Sequence, residues 1–381
     1  MTTLDLELEI GRNLGAGYPV LARAGQEVAT TRLPVTSVEL DRQFAAVRSA
    51  VLASSTPVDP VVHDPAQSGD QRHMRELGTQ LFDALLTGDV RELYAAIRRR
   101  AGEQGSPMRF VLRVHPAELT RLPWEFLFDP DRRNYLGLGL SLARYPEVLA
   151  PRQPLRTTAP LRILGMVARS GDRACADEQR QRLQEALGDL ERAGLVQLGW
   201  ADGHTPADLA EALGHGQWHG LHFFGSGQPD WSDEISGLLA NHHTLRLVVL
   251  NCCAAGSGAV PEGFAGAAGA LVRQGIPAVV AMHFEISPAA LREFAHPLYY
   301  SVAKGVPVDI GVMRARRAIR LAKKDTLEWG TPVLYLRAPD GRIFDAAPLS
   351  DPVPSELVRS TPLEDQAGPA DPAALYDEAM D

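Results

Sequence analysis

The chain has 381 residues, of which 45% are hydrophobic, and its formal net charge at pH 7 is −9. This length and apolar content are enough for one large domain or two ordinary ones around a buried core. The acidic balance, with no basic block longer than Arg98-Arg99-Arg100, argues against direct binding to nucleic acid, whose phosphates require a basic stripe.

Signals for a membrane, a metal or a cofactor are weak in this sequence. The opening residues, MTTLDLELEI, do not follow the pattern of a secretion signal, and no apolar run approaches the roughly 20 residues that cross a bilayer. We therefore expect a cytoplasmic protein that does not bind membranes. Cys175, Cys252 and Cys253 show no CxxC spacing, and the histidines within 215–243 match no zinc pattern. We expect reduced thiols, no metal site and no cofactor.

The first 160 residues mix strand and helix patterns. Residues 1–35 contain the alternating stretches LDLELEI and YPVLARA, which predict a hairpin or short edge strands, a small β addition. From 36 to about 100, apolar residues recur every three or four positions, and this spacing predicts successive helices. The stretch FVLRVHP at 110–116 predicts a strand. Residues 36–160 are thus predicted to form an α+β portion.

A regular alternation of strand and helix patterns follows the proline-marked passage at 150–160. Six apolar runs predict buried strands, at residues 161–168, 195–200, 220–225, 245–251, 278–284 and 332–339. With helical patterns between most of them, they predict an α/β fold whose mainly parallel six-stranded sheet carries helices on both faces. Ligand chemistry in such sheets sits at the carboxyl ends of the strands, where LHFFGSG (221–227) and LVVLNCC (247–253) place their unusual residues.

Residues 346–381 form a proline-rich tail with eight acidic side chains and one basic one, Arg359. A segment of this composition is expected to be largely unpacked. Its last stretch, DPAALYDEAMD, carries helix-start signals and could fold on a partner. The alternative is a solvated tail without a role.

The order of several short motifs resembles the CHAT domain of caspase-like cysteine peptidases. These motifs are LPWE (122–125), LHFFGSG, LVVLNCC, the small-residue helix GFAGAAG, GIPAVVAMHF and WGTPVLY (329–335). The resemblance spans about 36–345. It implies a three-layer caspase-like fold, with the α/β portion at 161–345, a histidine after the third strand of that portion and a nucleophilic cysteine after the fourth.

Carried over position by position, the resemblance implies that Cys253 occupies the nucleophile position and Ser226 the position of the catalytic histidine. The family commonly has His-Phe-x-Gly-His-Gly, so His222 matches its first histidine, and it has Leu-Asn-Ala-Cys at the cysteine. A serine hydroxyl cannot accept a proton near neutral pH as imidazole does. The 23 residues between Gly227 and Asn251 are also fewer than relatives usually carry. Together these departures favour natural divergence over a single engineered substitution.

Three further residues have alternative roles at the strand ends. His283, at the end of AMHF, is a spare candidate for the base because its strand is expected to neighbour that of Cys253. Gly225 and Gly227 either turn backbone N–H groups towards an anion, as an oxyanion hole does, or form a tight turn.

Five residues also have structural interpretations. We expect His222 to be buried and hydrogen-bonded, since it lies about 13 Å before position 226 along its strand. Trp124 and Glu125 are expected to anchor the N-terminal portion onto the sheet. Cys253, together with its neighbour Cys252, has the alternative of packing as a small apolar residue.

Two functions remain open at this point. A thiol with a pKa near 8.5 is only a few per cent thiolate at pH 7, and a general base typically contributes about 10² to 10⁴ in rate. The first function is an interaction or regulatory module that has lost peptidase activity. The second is a cysteine endopeptidase that uses Cys253 with a displaced or partner-supplied base. By family analogy, either acts on a protein partner or substrate in bacterial signalling or defence.

Overall fold

A computed structural model describes most of the chain. The described residues are 3–13, 15, 17–34, 45–47, 49–51, 53–54, 65–146, 152–168, 173–225, 233–252, 263–284 and 286–346. Among these, side chains are not described for residues 65–70, 173–175, 233–235, 252 and 263–265. The 346–381 tail and the segments after Gly225 and Cys252 fall almost entirely outside the described residues.

Eleven strands of the described residues form one mixed sheet, in the order β10-β9-β11-β12-β13-β14-β7-β4-β1-β2-β3. These strands are β1 (Leu4–Ile10), β2 (Tyr18–Ala24), β3 (Glu27–Leu33), β4 (Met108–Val114), β7 (Ser141–Arg144), β9 (Leu161–Val167), β10 (Val196–Trp200), β11 (Gly220–Gly225), β12 (Leu247–Cys252), β13 (Ala278–Met282) and β14 (Pro332–Leu336). Two short ribbons lie outside it, β5 (Phe128–Asp129) with β6 (Asn134–Tyr135) and β8 (Leu155–Thr157) with β15 (Phe344–Ala346).

Ten helices with described bounds pack around the sheet. They are α1 (Pro65–Leu85), α2 (Gly88–Gln104), α3 (Ala117–Thr120), α4 (Leu136–Gly139), α5 (Arg173–Arg192), α6 (Pro206–Gly214), α7 (Asp233–Asn241), α8 (Gly263–Gln274), α9 (Pro288–Ala303) and α10 (Val308–Ala322). Single 3₁₀ turns occur at Trp124–Phe126 and Glu328–Gly330. In the part of the chain that the structure describes, no helix combines the length and the apolar character needed to cross a membrane.

The α/β class and the mainly parallel sheet are confirmed, but the predicted number of six strands is wrong. The six predicted strands are one contiguous half of the sheet, β10 through β14. The other five come from the first 144 residues and join that half where Tyr335 of β14 pairs with Arg144 of β7. The alternating pattern of β1 suggests a local hairpin, and nothing in it reveals the parallel pairing with β4 about 100 residues away. Long-range pairing of this kind leaves no local sequence signal.

Side chains of the central strands alternate between two apolar layers. In β12, Val249 points to the layer that contains Leu298 of α9, whereas Val248 points to the layer that contains Leu271 of α8. Burial of both faces explains why these strands are continuously apolar rather than alternating. The result is a helix, sheet, helix arrangement of three layers.

Strands β11 and β12 are parallel neighbours along their full lengths, with Gly220 opposite Leu247 and Gly225 opposite Cys252. On its other side β12 pairs in parallel with β13, where Leu250 lies opposite Ala281. Because the three strands are parallel, their carboxyl ends lie at one edge of the sheet.

Candidate functional site

The two motifs with unusual residues end at adjacent strands. Ser226 and Gly227 follow Gly225 in sequence, and Cys253 follows Cys252, but all three lie outside the described residues. Gly225 itself is described, and a Cβ added to it would lie 2.5 Å from the ring of Phe223. Lack of space beside that ring therefore accounts for glycine at 225.

His222 lies within β11 and is fully buried. Its Nδ1 is 2.9 Å from the hydroxyl oxygen of Tyr299 in α9, and its ring stacks on Phe224 with ring centres 4.7 Å apart. Burial lowers the pKa of His222 to about 3, because the charged imidazolium would lose its hydration. The imidazole is therefore neutral at physiological pH and a very weak base.

The surroundings of His222 contain two buried polar atoms that lack a hydrogen-bond partner among the described residues. One is the Nε2 of His222, and the other is the Oδ1 of Asn251, the residue paired with Phe224 across β11 and β12. Burial also raises the pKa of Tyr299, so its hydroxyl keeps its proton at neutral pH. These groups form a neutral polar patch beneath the ends of β11 and β12.

His283 directly follows β13 and is held by β14 and the segment before it. Its backbone N–H donates to the carbonyl of Thr331 at 3.0 Å, and its Nε2 is 3.4 Å from the hydroxyl oxygen of Tyr335. Burial first, and then the positive charges of Arg144 and Arg316, hold the pKa of His283 well below its usual value. Like His222, it is neutral at pH 7 and weakly basic.

The register of β12 and β13 brings His283 to the edge where the cysteine motif ends. His283 lies two residues beyond Ala281, just as Cys252 lies two residues beyond Leu250, the partner of Ala281. Continuing the parallel register places positions 252 and 283 side by side. His283 is therefore a described histidine that lies beside the end of β12, on the β13 side.

Trp124 and Glu125 lie in the 3₁₀ turn that follows α3, and both are fully buried. The indole N–H of Trp124 donates to the carbonyl of Leu119 at 3.0 Å, which ties the turn to α3. Glu125 accepts two hydrogen bonds from Arg144, at 2.6 Å to Oε2 and 3.3 Å to Oε1. It also lies 3.8 Å from the guanidinium of Arg316 in α10.

Glu125, Arg144, Arg316 and Tyr335 form a buried group that we call the Glu125 cluster. Burial disfavours the charge of Arg144, but Glu125 and Tyr335 together more than offset this cost and raise its pKa. Burial lowers the pKa of Arg316 to about 10, although Glu125 opposes this change. Two guanidinium groups face one carboxylate, so the cluster carries a net positive charge. This charge adds to the effect of burial, which is the larger of the two, in disfavouring a protonated His283.

The Glu125 cluster lies at the junction of the two halves of the sheet. Arg144 and Tyr335 are the residues through which β7 pairs with β14, and Arg316 donates two hydrogen bonds to the carbonyl of Pro332, at 2.7 and 3.1 Å. The cluster thus connects the LPWE turn to the C-terminal half. Sequence analysis identified Glu125 but missed its partners.

One of those partners has a detectable sequence signal. In α10 the buried positions Val312, Ala315, Arg316 and Ile319 follow helical spacing, which places Arg316 on the apolar face. A charge at such a position predicts a buried partner of opposite sign. Arg144 and Tyr335 carry no comparable signal, because their strands are buried on both faces.

No group of three or more His, Cys, Asp or Glu side chains in the described ranges is arranged to hold a metal ion.

The parallel sheet between helical layers, with a cysteine motif after a central strand, defines a caspase-like α/β architecture. Among solved structures, the chain is similar to separase in a 3.0 Å crystal structure of the Saccharomyces cerevisiae separase–securin complex, with a TM-score of 0.53 and 10% identity. The match covers 88% of this chain and 30% of the separase chain. A 2.6 Å structure of the same complex gives a TM-score of 0.49, 11% identity and coverage of 87% and 30%. The chain thus spans about a third of the length of the separase chains it matches.

The family is established by sequence. The model of the CHAT domain family matches residues 75–369, more than three quarters of the chain. The protein therefore belongs to the CHAT domain family and is related to the caspase-like cysteine peptidases. None of the curated proteins compared with the chain matches it.

Proposed function

We propose that this CHAT domain protein has lost peptidase activity and works as an interaction or regulatory module. The observation that carries the proposal is the absence of a basic imidazole among the described residues at the ends of β11, β12 and β13. Ser226 stands at the histidine position, and the pKa values of His222 and His283 are both held far below neutral pH. A general base works best when its pKa lies near the operating pH, so neither histidine can supply one.

In this proposal, the thiol of Cys253 also lacks a neighbouring positive charge, such as an imidazolium ion, that would stabilise its thiolate. A cysteine with a pKa near 8.5 is only a few per cent thiolate at pH 7. Neutral imidazoles with depressed pKa values do not stabilise a thiolate as an imidazolium ion does. Cys253 then packs as a small apolar residue and takes no part in peptide hydrolysis.

The setting that we propose is bacterial signalling or defence in the cytoplasm, with a protein as the partner. The family resemblance supports this setting, and the acidic balance of the chain is consistent with a partner other than nucleic acid. The sheet supplies the scaffold, and the sequence after β11 carries the departures from the peptidase pattern, which are Ser226 and the short stretch 228–250.

A second candidate function is a cysteine endopeptidase that uses Cys253 with a displaced or partner-supplied base. The specific observation in its favour is the register that places His283 beside position 252. For this function a partner or substrate must move the imidazole of His283 away from the positive charge of the Glu125 cluster and raise its pKa.

The phenotype of cysteine and serine variants tests the proposed function. Cys253→Ala is expected to behave like wild type in cells where deletion of the gene has a phenotype, because no thiolate chemistry is lost. Ser226→His is not expected to restore cleavage of co-expressed neighbouring proteins, since hydrolysis also requires the substrate carbonyl within about 3 to 3.5 Å of sulfur and oxyanion donors. Cys175→Ala, at a position in α5, is the matched control. If Cys253→Ala, but not Cys175→Ala, shows the phenotype of the gene deletion while the protein is still folded, the proposal is contradicted and the endopeptidase is favoured.

A further inference from the structure

A cavity of about 390 Å³ opens where α2, β4, β7 and α10 meet, in the half of the sheet that does not contain β11 and β12. Its larger apolar side chains are those of Met108 in β4, Leu140 just before β7, and Ile310 and Met313 in α10. A pocket of several hundred Å³ with mostly apolar walls is typical of a binding site rather than of a packing defect.

Three arginines line the same cavity: Arg98 of α2, Arg132 of the turn between β5 and β6, and Arg317 of α10. Arg317 donates to the carbonyl of Leu138 at 2.6 Å, which holds its guanidinium at the cavity. No ion pair within the described ranges involves Arg98 or Arg132. Apolar walls beside the positive charges of Arg98 and Arg132 suit an occupant that has both an apolar surface and negative charges.

The segment 371–381, DPAALYDEAMD, has both properties. At 100° per residue, a helix over this segment places Leu375, Tyr376, Ala379 and Met380 within one arc. The acidic residues Asp371, Asp377, Glu378 and Asp381 fall within the opposite arc. The segment lies outside the described residues, and its sequence is that of an acidic amphipathic helix.

The described part of the chain ends beside the segment that leads into α10, one of the helices that line the cavity. Ala346 closes β15 and lies against Gly305, where a Cβ on the glycine would be 3.4 Å from that of Ala346. Gly305 is only five residues before Ile310, which lines the cavity. The 24 residues from 347 to 370 can extend to roughly 80 Å, at about 3.3 Å per residue, so segment 371–381 can reach the cavity. Because the segment and the cavity belong to one chain, docking would be intramolecular, which raises the effective concentration of the segment at the cavity.

We propose that residues 371–381 dock as an amphipathic helix in the arginine-lined cavity of the same chain. The apolar arc contacts Met108 and Met313, and the acidic arc faces Arg98 and Arg132 at the rim. This is the helix-in-groove mode of peptide recognition, supplemented by charge complementarity. The proposal does not depend on the loss of peptidase activity, and it assigns an intramolecular ligand to a site far in the sequence from the cysteine motif.

Photo-crosslinking in the full chain tests this docking. Tyr376 is replaced by p-benzoylphenylalanine, the protein is irradiated, and crosslinked peptides are identified by mass spectrometry. The expected product joins position 376 to Met108 or Met313 within one chain. The combined change Arg98→Glu with Arg132→Glu is expected to lower its yield at least tenfold. Arg99→Glu, on the same helix but not lining the cavity, is expected to leave the yield within twofold.

A second variant blocks docking by its bulk and leaves the charges of the cavity unchanged. A Cβ added to Gly102, in the last turn of α2, meets no atom within 4 Å, so Gly102→Leu places a bulky side chain at the cavity wall and favours the helix. This variant is expected to abolish the crosslink while the protein remains folded by circular dichroism. Crosslinks that persist in both variants, that join other sites, or that join two copies of the chain would overturn the proposal.

Discussion

Replacing Glu125 with alanine is expected to lower the free energy of unfolding by about 3 to 5 kcal/mol, because it leaves buried guanidinium groups without their carboxylate. The side chains of Arg144 and Arg316 are 5% and 1% exposed, so water cannot replace the lost partner. The backbone carbonyls that they also contact compensate only in part. Chemical denaturation followed by tryptophan fluorescence measures the change.

A surface pair provides the matched control for this experiment. Glu178→Ala removes an exposed i, i+4 ion pair with Arg182 in α5 and is expected to cost only about 0.3 to 0.5 kcal/mol. Glu125→Gln keeps the hydrogen-bond acceptor but removes the charge, and its cost is expected to lie between those of the two alanine variants. A loss below about 1 kcal/mol for Glu125→Ala would contradict the view that this cluster joins the halves of the sheet.

Lowering the pH is expected to destabilise the protein through His222, by about 1.4 kcal/mol for each pH unit between 6.5 and about 3. The pKa of His222 is lowered to about 3 in the folded chain and is ordinary in the unfolded chain. Below pH 6.5 the unfolded chain therefore binds a proton that the folded chain does not accept. The contribution is absent above pH 6.5 and grows as the pH falls towards 3.

The effect of His222 is isolated by comparing how steeply the free energy of unfolding falls with pH in wild type and in a variant without this histidine. In the double variant His222→Phe with Tyr299→Phe, neither ring keeps a polar group that needs a partner, and the ring at 222 can still stack on Phe224. Between pH 6 and 5, the free energy of unfolding of this variant is expected to fall less steeply than that of wild type, by up to 1.4 kcal/mol per pH unit. Equal slopes would mean that His222 takes up a proton in the folded protein.

The C-terminal half of the fold was predictable because it is built from local patterns. Continuous apolar runs such as 245–251 are typical of strands buried on both faces. The helices between them carry start signals such as Ser287-Pro288. The N-terminal half was predictable only as a mixture of elements. The pairing of Leu8 with Leu112 joins residues 104 positions apart, and neither strand specifies its partner locally.

The sequence predicted the chemical residues of the candidate site better than it predicted the residues that surround them. The motif order placed the serine and cysteine positions after two strands, and these strands are adjacent, with Gly225 opposite Cys252. The environment of His283 was not predictable, because Arg144 and Arg316 reach it from β7 and α10 through tertiary packing. Sequence analysis could therefore identify His283 as a spare base but could not judge its pKa.

The most direct test of this account is the pKa of the Cys253 thiol in the folded protein. Iodoacetamide labelling is followed from pH 5 to 10 by mass spectrometry, with the rate at Cys253 resolved from those at Cys252 and Cys175. The account predicts an apparent pKa near 8.5 or above, unchanged by His283→Ala, because no imidazolium stabilises the thiolate. An apparent pKa near 6 for Cys253 that rises in His283→Ala would contradict it and identify an active thiol–imidazole pair.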